Sequence, residues 1–387
     1  MFTPKSYLFK NIIPEVVSKY GDNDALGFVG EEFISYTQMG KRIDAVMAYM
    51  EALGIEPGDR VILYSQNMPN WGIVYFATQC MGVVVVPVLP DFNAYELGNI
   101  IEHSGAKAIF ISKSLDFKLA KVEDVEIETV IRLDDFDLLK GPEASPLYDV
   151  DKKHAGTYTP NEDEMSVLLY TSGTTGTPKG VMLSQKNLIT NIYQSNSVQE
   201  VLPTDRFLSV LPLSHTYENT IGFLLAIVNG ASISYLRRPP SASVLLPALE
   251  KVKPTVMLTV PLIIERIYKG SILKKINSKG ITRALYKFRP TQRILNRVAG
   301  KKLYETFGGH LKFFGIGGAK LDAQVERFLI DAKFPFAIGY GLTETSPLIA
   351  GCAPGKGKHQ AIGPKVVDSE VIIHEPNPKT REGEIWF

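Results

Sequence analysis

The sequence contains little cysteine, little tryptophan and almost no net charge. Two cysteines among 387 residues, Cys80 and Cys352, are too few for a disulfide scaffold, so each is expected to be a reduced thiol in a cytosolic protein. A net charge of +1 argues against a general nucleic-acid-binding protein. The length predicts about two to three compact units.

Hydrophobic segments of membrane-spanning length are also missing. The apolar run over residues 83–89 is interrupted by Pro87 and is far too short to cross a bilayer. The first ten residues lack the apolar core of a signal peptide. These features predict a cytoplasmic location.

Segments typical of buried strands alternate with segments typical of helices. The strand candidates are 60–64, 83–86, 107–111, 207–211, 231–235, 255–259 and 311–314. Residues 71–81 and 95–103 carry apolar side chains at helical spacing. Near-continuous apolar strands separated by helices are typical of a parallel sheet covered on both faces. We therefore predict an α/β fold with right-handed crossovers.

The most informative segment is Tyr170–Gly180, with the sequence YTSGTTGTPKG. It holds five Ser and Thr hydroxyls, three glycines and one lysine. Glycines let backbone N–H groups form a concave nest for anionic oxygens, and the hydroxyls and lysine add donors and charge. It is not a Walker loop, because Gly180 follows Lys179 where a metal-holding Ser or Thr would stand. The alternative is an exposed Gly/Thr hairpin loop.

This loop resembles the phosphate-binding loop of the adenylate-forming superfamily, which includes acyl-CoA synthetases, peptide-synthetase adenylation domains and luciferases. Two more segments match in the same order. Gly339–Thr345 (GYGLTET) is similar to the adenine-and-magnesium motif, and Gly383–Phe387 (GEIWF) is similar to the opening of a later strand motif. The resemblance covers nearly the whole chain. It implies two doubly wound αβαβα layers joined by a distorted β-barrel.

The resemblance also implies a domain organisation. Residues 1–387 would form the large N-terminal domain, with α/β subdomains at about 55–200 and 205–340 and the start of the barrel at 345–387. The polar, proline-containing segment 141–164 is a candidate internal boundary. Because the chain stops within a strand pattern, we expect a fragment of a longer protein. Superfamily members continue with a ribose-binding aspartate, a hinge and a mobile C-terminal domain that carries a catalytic lysine.

The chemistry implied by the resemblance is activation of a carboxylic acid with ATP, Mg²⁺ and CoA. The carboxylate attacks the α-phosphorus of ATP, so two anions must meet among fixed donors, a lysine and a metal. The residues expected to act in catalysis are Thr171, Lys179, His215 and Glu344, with Glu344 as the magnesium ligand. The loop residues expected to bind phosphate are Thr171, Ser172, Gly173, Thr174, Thr175, Gly176 and Lys179.

Two further segments are expected to contact the nucleotide. In the first, Tyr340 would stack on adenine, Thr343 would donate to the α-phosphate, and Gly339 and Gly341 would let the backbone come close. In the second, Gly317, Gly318 and Ala319 would lie along the adenine and the acyl tunnel. The alternatives are a strand-to-helix turn capped by Thr343 and a glycine-rich turn that serves only close packing.

The segment Leu211–Glu218 (LPLSHTYE) resembles the substrate-side motif of long-chain fatty acyl-CoA synthetases, in which a residue at the position of His215 faces the carboxylate. Residues 258–262 leading into 265–268 resemble the same group. The helices at 221–225 and 265–268 would line an apolar tunnel, although ordinary core is the alternative. Other activities left open are a fatty acyl-AMP ligase, an acyl-carrier-protein synthetase, and a non-catalytic nucleotide- and acyl-binding module.

Charge is unevenly distributed along the chain. Residues 266–302 contain 12 Lys and Arg and no Asp or Glu, interleaved with apolar residues. This pattern suggests a peripheral contact with anionic membranes, and the alternative is a solvated helical face. The partners implied by the resemblance are fatty acid, ATP and CoA. Segment 266–302 adds a candidate membrane contact, no nucleic acid is expected, and the sequence does not predict an oligomeric state.

Overall fold

The computed structural model describes residues 2–123, 125–142, 148–171 and 179–387. In chain order the strands are β1 (Asp24–Phe28), β2 (Ile34–Ser35), β3 (Arg60–Tyr64), β4 (Val84–Val88), β5 (Ala108–Ile111), β6 (Thr129–Arg132), β7 (Leu138–Lys140), β8 (Met165–Thr171), β9 (Lys179–Ser184), β10 (Arg206–Ser209), β11 (Ser232–Tyr235), β12 (Val256–Thr259), β13 (Phe313–Ile316), β14 (Phe336–Gly341), β15 (Leu348–Gly351), β16 (Ile372–His374) and β17 (Glu384–Trp386).

The α-helices are α1 (Phe9–Tyr20), α2 (Tyr36–Ala52), α3 (Pro69–Met81), α4 (Ala94–Ser104), α5 (Asp116–Leu119), α6 (Gln185–Val198), α7 (Leu225–Val228), α8 (Ala242–Val252), α9 (Pro261–Ile267), α10 (Lys274–Asn277), α11 (Gly280–Leu285), α12 (Arg289–Thr306) and α13 (Ala323–Ala332). Two π-helical segments, Glu218–Leu224 and Tyr268–Leu273, and the 3₁₀ turn Thr343–Thr345 complete the described elements. No helix in the described ranges is long and apolar enough to cross a membrane.

The strands form two large sheets, and the α/β prediction is confirmed. Within the described residues, the first sheet has the order β7-β6-β5-β3-β4-β8-β9 and the second has the order β15-β14-β13-β12-β10-β11-β1-β2. The interior pairs are parallel, and the antiparallel pairs are at the edges. Every predicted strand and helix overlaps an observed one, although β13 begins and ends two residues later than predicted.

The first sheet is buried on both faces, which explains its near-continuous apolar strands. On β3, Val61 and Leu63 lie in the core shared with the second sheet, while Ile62 and Tyr64 pack in a separate cluster with α4. Successive strand residues point to opposite faces, so only an uninterrupted apolar run satisfies both. The helix α3 is buried from Trp71 to Met81 and packs within the shared core.

The N-terminal segment adds strands to the second sheet rather than to the first. β1 pairs in parallel with β11, from Leu26 opposite Ile233 to Phe28 opposite Tyr235. The sequence patterns do not reveal this pairing, because the partner strand lies about two hundred residues away. The predicted subdomain ranges 55–200 and 205–340 stay a prediction.

The C-terminal segment that was predicted to begin a barrel contains a small antiparallel pair. β16 and β17 pair with Ile373 opposite Ile385, and an isolated bridge joins Ala350 to Lys365. Both strands are largely exposed.

Candidate active site

The predicted phosphate-binding loop connects two antiparallel strands. At the end of β8, Thr171 is opposite Lys179, the first residue of β9. Lys179 is exposed and Thr171 is half-buried. Ser172, Gly173, Thr174, Thr175 and Gly176 lie outside the described residues. The structure therefore places the two ends of the loop side by side at the carboxyl end of β8.

The adenine-and-magnesium segment spans the end of β14 and a tight turn. Gly339 is opposite Gly351 and Tyr340 is opposite Ala350 on β15, so the first part of this segment is paired within the sheet. The turn Thr343–Thr345 follows, and the Thr345 hydroxyl donates to the Pro347 carbonyl over 2.6 Å. Among described residues no ion pair involves Glu344, whose side chain is exposed.

Gly341 is required by the packing of this turn itself. A Cβ atom at position 341 would lie 1.8 Å from the Pro347 carbonyl oxygen. No real Cβ tolerates that distance, so only glycine allows β14 to bend into the turn. The sequence predicts that Gly341 lets the backbone approach the nucleotide. The close approach that the structure shows is to the Pro347 carbonyl of the same chain.

The phosphate-loop hairpin and the turn Thr343–Thr345 are neighbours. Cα atoms of β9 lie within 8 Å of Cα atoms of the turn. The helix α6, which begins directly after β9, holds the segment that follows the turn. Its Asn191 side chain donates to the Leu348 carbonyl over 2.9 Å and accepts from the Leu348 amide over 3.0 Å.

Sequence reasoning missed Asn191. The residue is buried among Leu188, Ile189 and Ile192 on the inner face of α6. The one feature of the sequence that could have identified Asn191 is a polar residue at a helical position that is otherwise occupied by apolar side chains. Buried polar groups are nearly always hydrogen-bonded, so such a residue indicates a fixed partner elsewhere in the chain.

His215 lies on the loop after β10, and a side chain from the first half of the chain shapes that loop. The Asn67 amide donates to the Leu211 carbonyl over 2.6 Å and to Ser209 Oγ over 2.9 Å. The Leu213 amide donates to Asn67 Oδ1 over 2.9 Å. Asn67 was not identified from the sequence, because its partners are about 140 residues away.

The environment of His215 favours a neutral ring with one free donor. The ring is accessible to solvent on one side, yet desolvation by the surrounding protein lowers the pKa of His215 from its ordinary value. The Tyr217 amide donates to His215 Nδ1 over 3.3 Å. With Nδ1 as acceptor, the neutral tautomer carries its proton on Nε2, and that N–H is available to a carboxylate.

Beneath the His215 loop lies a buried carboxyl group. Ser209 Oγ donates to Glu218 Oε1 over 2.6 Å, and Ser209 Oγ in turn accepts from Asn67. Desolvation by burial raises the pKa of Glu218 to about 8, against a smaller lowering effect of the Ser209 hydrogen bond. Within the described part of the chain, Glu218 Oε2 and the Tyr235 hydroxyl have no hydrogen-bond partner.

The segment Gly317–Ala319 follows β13 at the same carboxyl edge of the sheet. A Cβ atom at Gly315 would lie 2.7 Å from the Tyr217 hydroxyl, and one at Gly317 would lie 3.1 Å from the Tyr217 ring. These glycines thus make room for Tyr217, and Gly318 and Ala319 are exposed just beyond them. The carboxyl ends of β10, β13 and β14 meet at this edge, where ligands bind in open α/β sheets.

Tyr217 also lines an apolar crevice. It is lined by Tyr217, Ile221 and Leu225 on the helix side and by Val256, Gly315 and Ile338 on the sheet side. Its free volume is about 40 Å³. A site for one water needs roughly 10–15 Å³, so the crevice holds a few waters at most as it stands. Two helices were predicted to line a tunnel, at 221–225 and 265–268. The first contributes Ile221 and Leu225 to this crevice. The second does not line it, and its Tyr268 lines a separate pocket together with Tyr286.

A magnesium ion would have few protein ligands here. Among described residues no three His, Cys, Asp or Glu side chains are grouped as a metal site. Mg²⁺ keeps several waters and binds through one or two carboxylates plus substrate phosphates. The exposed carboxylate of Glu344 fits that mode. It lies in the turn next to strand β9, which begins with Lys179.

The sequence matches the AMP-binding enzyme family over residues 13–387. The long chain acyl-CoA synthetase 7, peroxisomal, of Arabidopsis thaliana is 26% identical over 382 residues, covering 90% of this chain and 54% of that protein. The long-chain-fatty-acid–CoA ligase FadD15 of Mycobacterium bovis is 26% identical over 346 residues, covering 82% and 57%. The chain thus spans about half the length of the curated relatives it matches.

Solved structures of the same fold include two with nearly complete coverage of this chain. The N-terminal domain of FACL13 from Mycobacterium tuberculosis has a TM-score of 0.74 at 18% identity, covering 95% of this chain and 84% of that one. The O-succinylbenzoate coenzyme A synthetase from Bacillus subtilis, in complex with AMP, has a TM-score of 0.71 at 17% identity, covering 97% and 84%. At these identities the likeness shows the fold alone.

Proposed function

Because this chain belongs to the AMP-binding enzyme family, we propose that its parent protein uses ATP to convert a long-chain fatty acid to acyl-AMP and then to acyl-CoA. The observation that carries the choice of acid is the apolar crevice that Tyr217 lines, two residues along the chain from His215. An alkyl chain needs apolar walls, and a carboxylate at its mouth needs a donor such as the His215 Nε2–H. The names of the relatives in Arabidopsis and Mycobacterium support the same substrate class.

In this proposal each motif neutralises one part of the reacting charge. Lys179 and the hydroxyls of the loop, Thr171 among them, hold the outer phosphates, and Thr343 donates to the α-phosphate. Tyr340 stacks on adenine, beside the segment Gly317–Ala319. Mg²⁺, held by Glu344 and the phosphates, would stabilise the charge of the departing pyrophosphate.

His215 orients the acid. A neutral imidazole attracts the carboxylate through one hydrogen bond without forming a tight ion pair, so the carboxylate oxygen stays nucleophilic toward the α-phosphorus. The lowered pKa of His215 keeps the ring neutral near pH 7. Attack forms the acyl–phosphate bond and breaks the bond to pyrophosphate; the CoA thiol then takes the acyl group and AMP leaves.

A long chain requires the crevice to widen. Tyr217 immediately precedes the π-helix Glu218–Leu224, to which Ile221 belongs, and both residues line the crevice. π-Helical turns are often found at functional sites. We propose that the acyl chain displaces this segment, and that the enzyme is cytoplasmic and acts in lipid metabolism.

The test is calorimetric titration of the 387-residue chain with two ligands. The first is a non-hydrolysable ATP analogue with Mg²⁺, which carries the outer phosphates, and the second is a non-hydrolysable palmitoyl-adenylate mimic, which lacks them. In the double variant Lys179→Ala, Glu344→Ala the affinity for the ATP analogue is expected to fall at least about a hundredfold, because the charge-assisted contacts with the outer phosphates and with Mg²⁺ are lost. The matched control is Lys152→Ala, Glu305→Ala, which removes one exposed lysine and one exposed glutamate away from the site.

Equal binding by the site variant and the control would refute the assignment of Lys179 and Glu344. No binding by the unmodified chain would refute a preformed adenylate site in these 387 residues. Loading assays of the parent protein with CoA and with an acyl carrier protein then distinguish a CoA ligase from a carrier-protein synthetase.

A further inference from the structure

The segment Arg266–Lys302 forms a helical surface of one charge sign, here called the basic surface. It spans the π-helix Tyr268–Leu273 and helices α10, α11 and most of α12. Of its 12 cations, only Lys269, Arg289 and Arg293 lie within 4.0 Å of a carboxylate. The other nine make no ion pair with any residue in the described ranges. The flanking acids in the sequence are Glu265 and Glu305.

Large apolar side chains project into solvent between these cations. The exposed fractions are 78% for Ile281, 66% for Phe288, 59% for Ile294 and 66% for Val298. Exposed apolar residues are normal when scattered singly, but four within 18 residues of an acid-free segment form a pattern that indicates a contact.

Helix α12 shows how the two kinds of side chain are arranged. At 3.6 residues per turn, Ile294, Val298 and Lys301 lie on one side of the helix, flanked by Arg297 and Lys302. The opposite side, which includes Asn296, Gly300 and Leu303, is buried. An apolar stripe bordered by cations is typical of helices that lie in the interface of a bilayer.

A buried network holds this surface in place. Arg289 donates to both oxygens of Asp331 over 2.6 and 2.8 Å, and Asn296 donates to the same carboxylate over 3.0 Å. The Tyr286 hydroxyl donates to Asn296 over 2.9 Å. Burial alone would raise the pKa of Asp331, but these hydrogen bonds and the two arginines outweigh it and lower the pKa. The surface is therefore presented on a fixed scaffold.

We propose that the basic surface docks on an anionic lipid bilayer, with its unpaired cations on the headgroups and with Ile281, Phe288, Ile294 and Val298 inserted among the acyl chains. Charge complementarity identifies the anionic partner, and the aliphatic side chains select a bilayer over a nucleic acid, which offers no apolar phase for isoleucine or valine. The inference goes beyond the proposed function and does not rest on it.

The test is flotation of the 387-residue chain with vesicles of phosphatidylcholine, with and without phosphatidylserine. Binding is expected only to the anionic vesicles, and added salt should weaken it. The triple variant Arg297→Glu, Lys301→Glu, Lys302→Glu should bind at least about a hundredfold more weakly, because each surface cation contributes roughly a fivefold factor. Ile294→Ser, Val298→Ser should also weaken binding, at unchanged charge.

The matched control is Lys140→Glu, Lys152→Glu, Lys356→Glu, which makes the same charge change at exposed lysines outside the basic surface. Retained binding by this control supports the proposal. Equal binding to both kinds of vesicle, equal loss in both triple variants, or binding to duplex DNA in place of vesicles would overturn it. Titration with the adenylate mimic separates the two proposals, since the variants of the basic surface should keep that affinity.

Discussion

Two groups of polar residues contribute to the proposed site, and they differ in burial. Asn67, which is half-buried, and the buried Ser209 and Glu218 form a chain beneath the His215 loop, joined by hydrogen bonds of 2.9 and 2.6 Å. Lys179 and Glu344 are exposed, and neither makes an ion pair within the described residues. The hydrogen bonds of the first group fix the geometry of the loop, although Glu218 Oε2 has no partner in the described part of the chain. The second group is the one that we propose to bind the charged ligand.

The same difference determines how each group affects stability. Removing a partner from a buried hydrogen-bonded chain leaves desolvated groups unpaired, which costs about 1–3 kcal/mol per group. Replacing an exposed charge usually changes the free energy of unfolding by less than about 0.5 kcal/mol. Substitutions in the buried group should therefore alter stability, and those in the exposed group should alter ligand binding.

Glu218→Gln is expected to have the largest effect on stability, and the effect depends on pH. The pKa of Glu218 is raised to about 8 in the folded protein, above its ordinary value of 4.5. Between these values the unfolded chain releases the proton and the folded chain keeps it, so stability falls as pH rises through about 8. Glutamine cannot ionise. The variant should therefore gain on the order of 3 kcal/mol relative to the unmodified protein between pH 5 and pH 9, measured by urea unfolding.

Glu326→Gln is the matched control for that measurement. Glu326 is also buried, but both its oxygens accept from the Gln360 amide over 2.9 Å. Replacing one of these oxygens by an NH₂ group places a hydrogen-bond donor opposite the Gln360 N–H, which is also a donor. This variant should therefore lose stability at pH 8. If both glutamine variants shift in the same direction, the buried carboxyl group of Glu218 is not the cause.

Asn67→Ala is expected to have the next largest effect. It removes the acceptor for the Leu213 amide and the donor for the Leu211 carbonyl, and should lower the free energy of unfolding by about 2 kcal/mol. Because the same bonds shape the loop of His215, the affinity of the chain for the acyl-adenylate mimic should also fall, by roughly tenfold. Calorimetry and urea unfolding measure the two effects. A stability loss without any loss of affinity would show that the loop does not orient the acid.

The sequence predicted strands β3–β5 and β10–β13 and helices α3 and α4, because each of these has its own local apolar pattern; it did not predict the other strands of the two sheets, among them the buried strand β6. It also drew attention to Thr171, Lys179 and Glu344 by their motifs, and the structure places β9, which begins with Lys179, near the turn Thr343–Thr345, while the roles of these residues stay a prediction. It missed Asn67 and Asn191, which act through partners 142 to 157 residues away, and it missed the pairing of β1 with β11. No local pattern marks such contacts, because the folded topology alone brings the partners together.

Glu344→Gln is expected to have the smallest effect on stability. An exposed carboxylate without an ion pair in the described ranges contributes little, so the free energy of unfolding should change by less than about 0.5 kcal/mol, as in the control Glu305→Gln. Ligand-induced stabilisation should differ between the two variants. A ligand at a hundred times its Kd stabilises a protein by about 2.7 kcal/mol, and that gain disappears as affinity is lost. With Mg²⁺ and the non-hydrolysable ATP analogue, thermal unfolding should therefore shift upward in Glu305→Gln and much less in Glu344→Gln. If Glu344→Gln were destabilised without ligand, this carboxylate would have a structural role. The distinction between a buried group that fixes the fold and an exposed group that binds ligand would then not hold for Glu344.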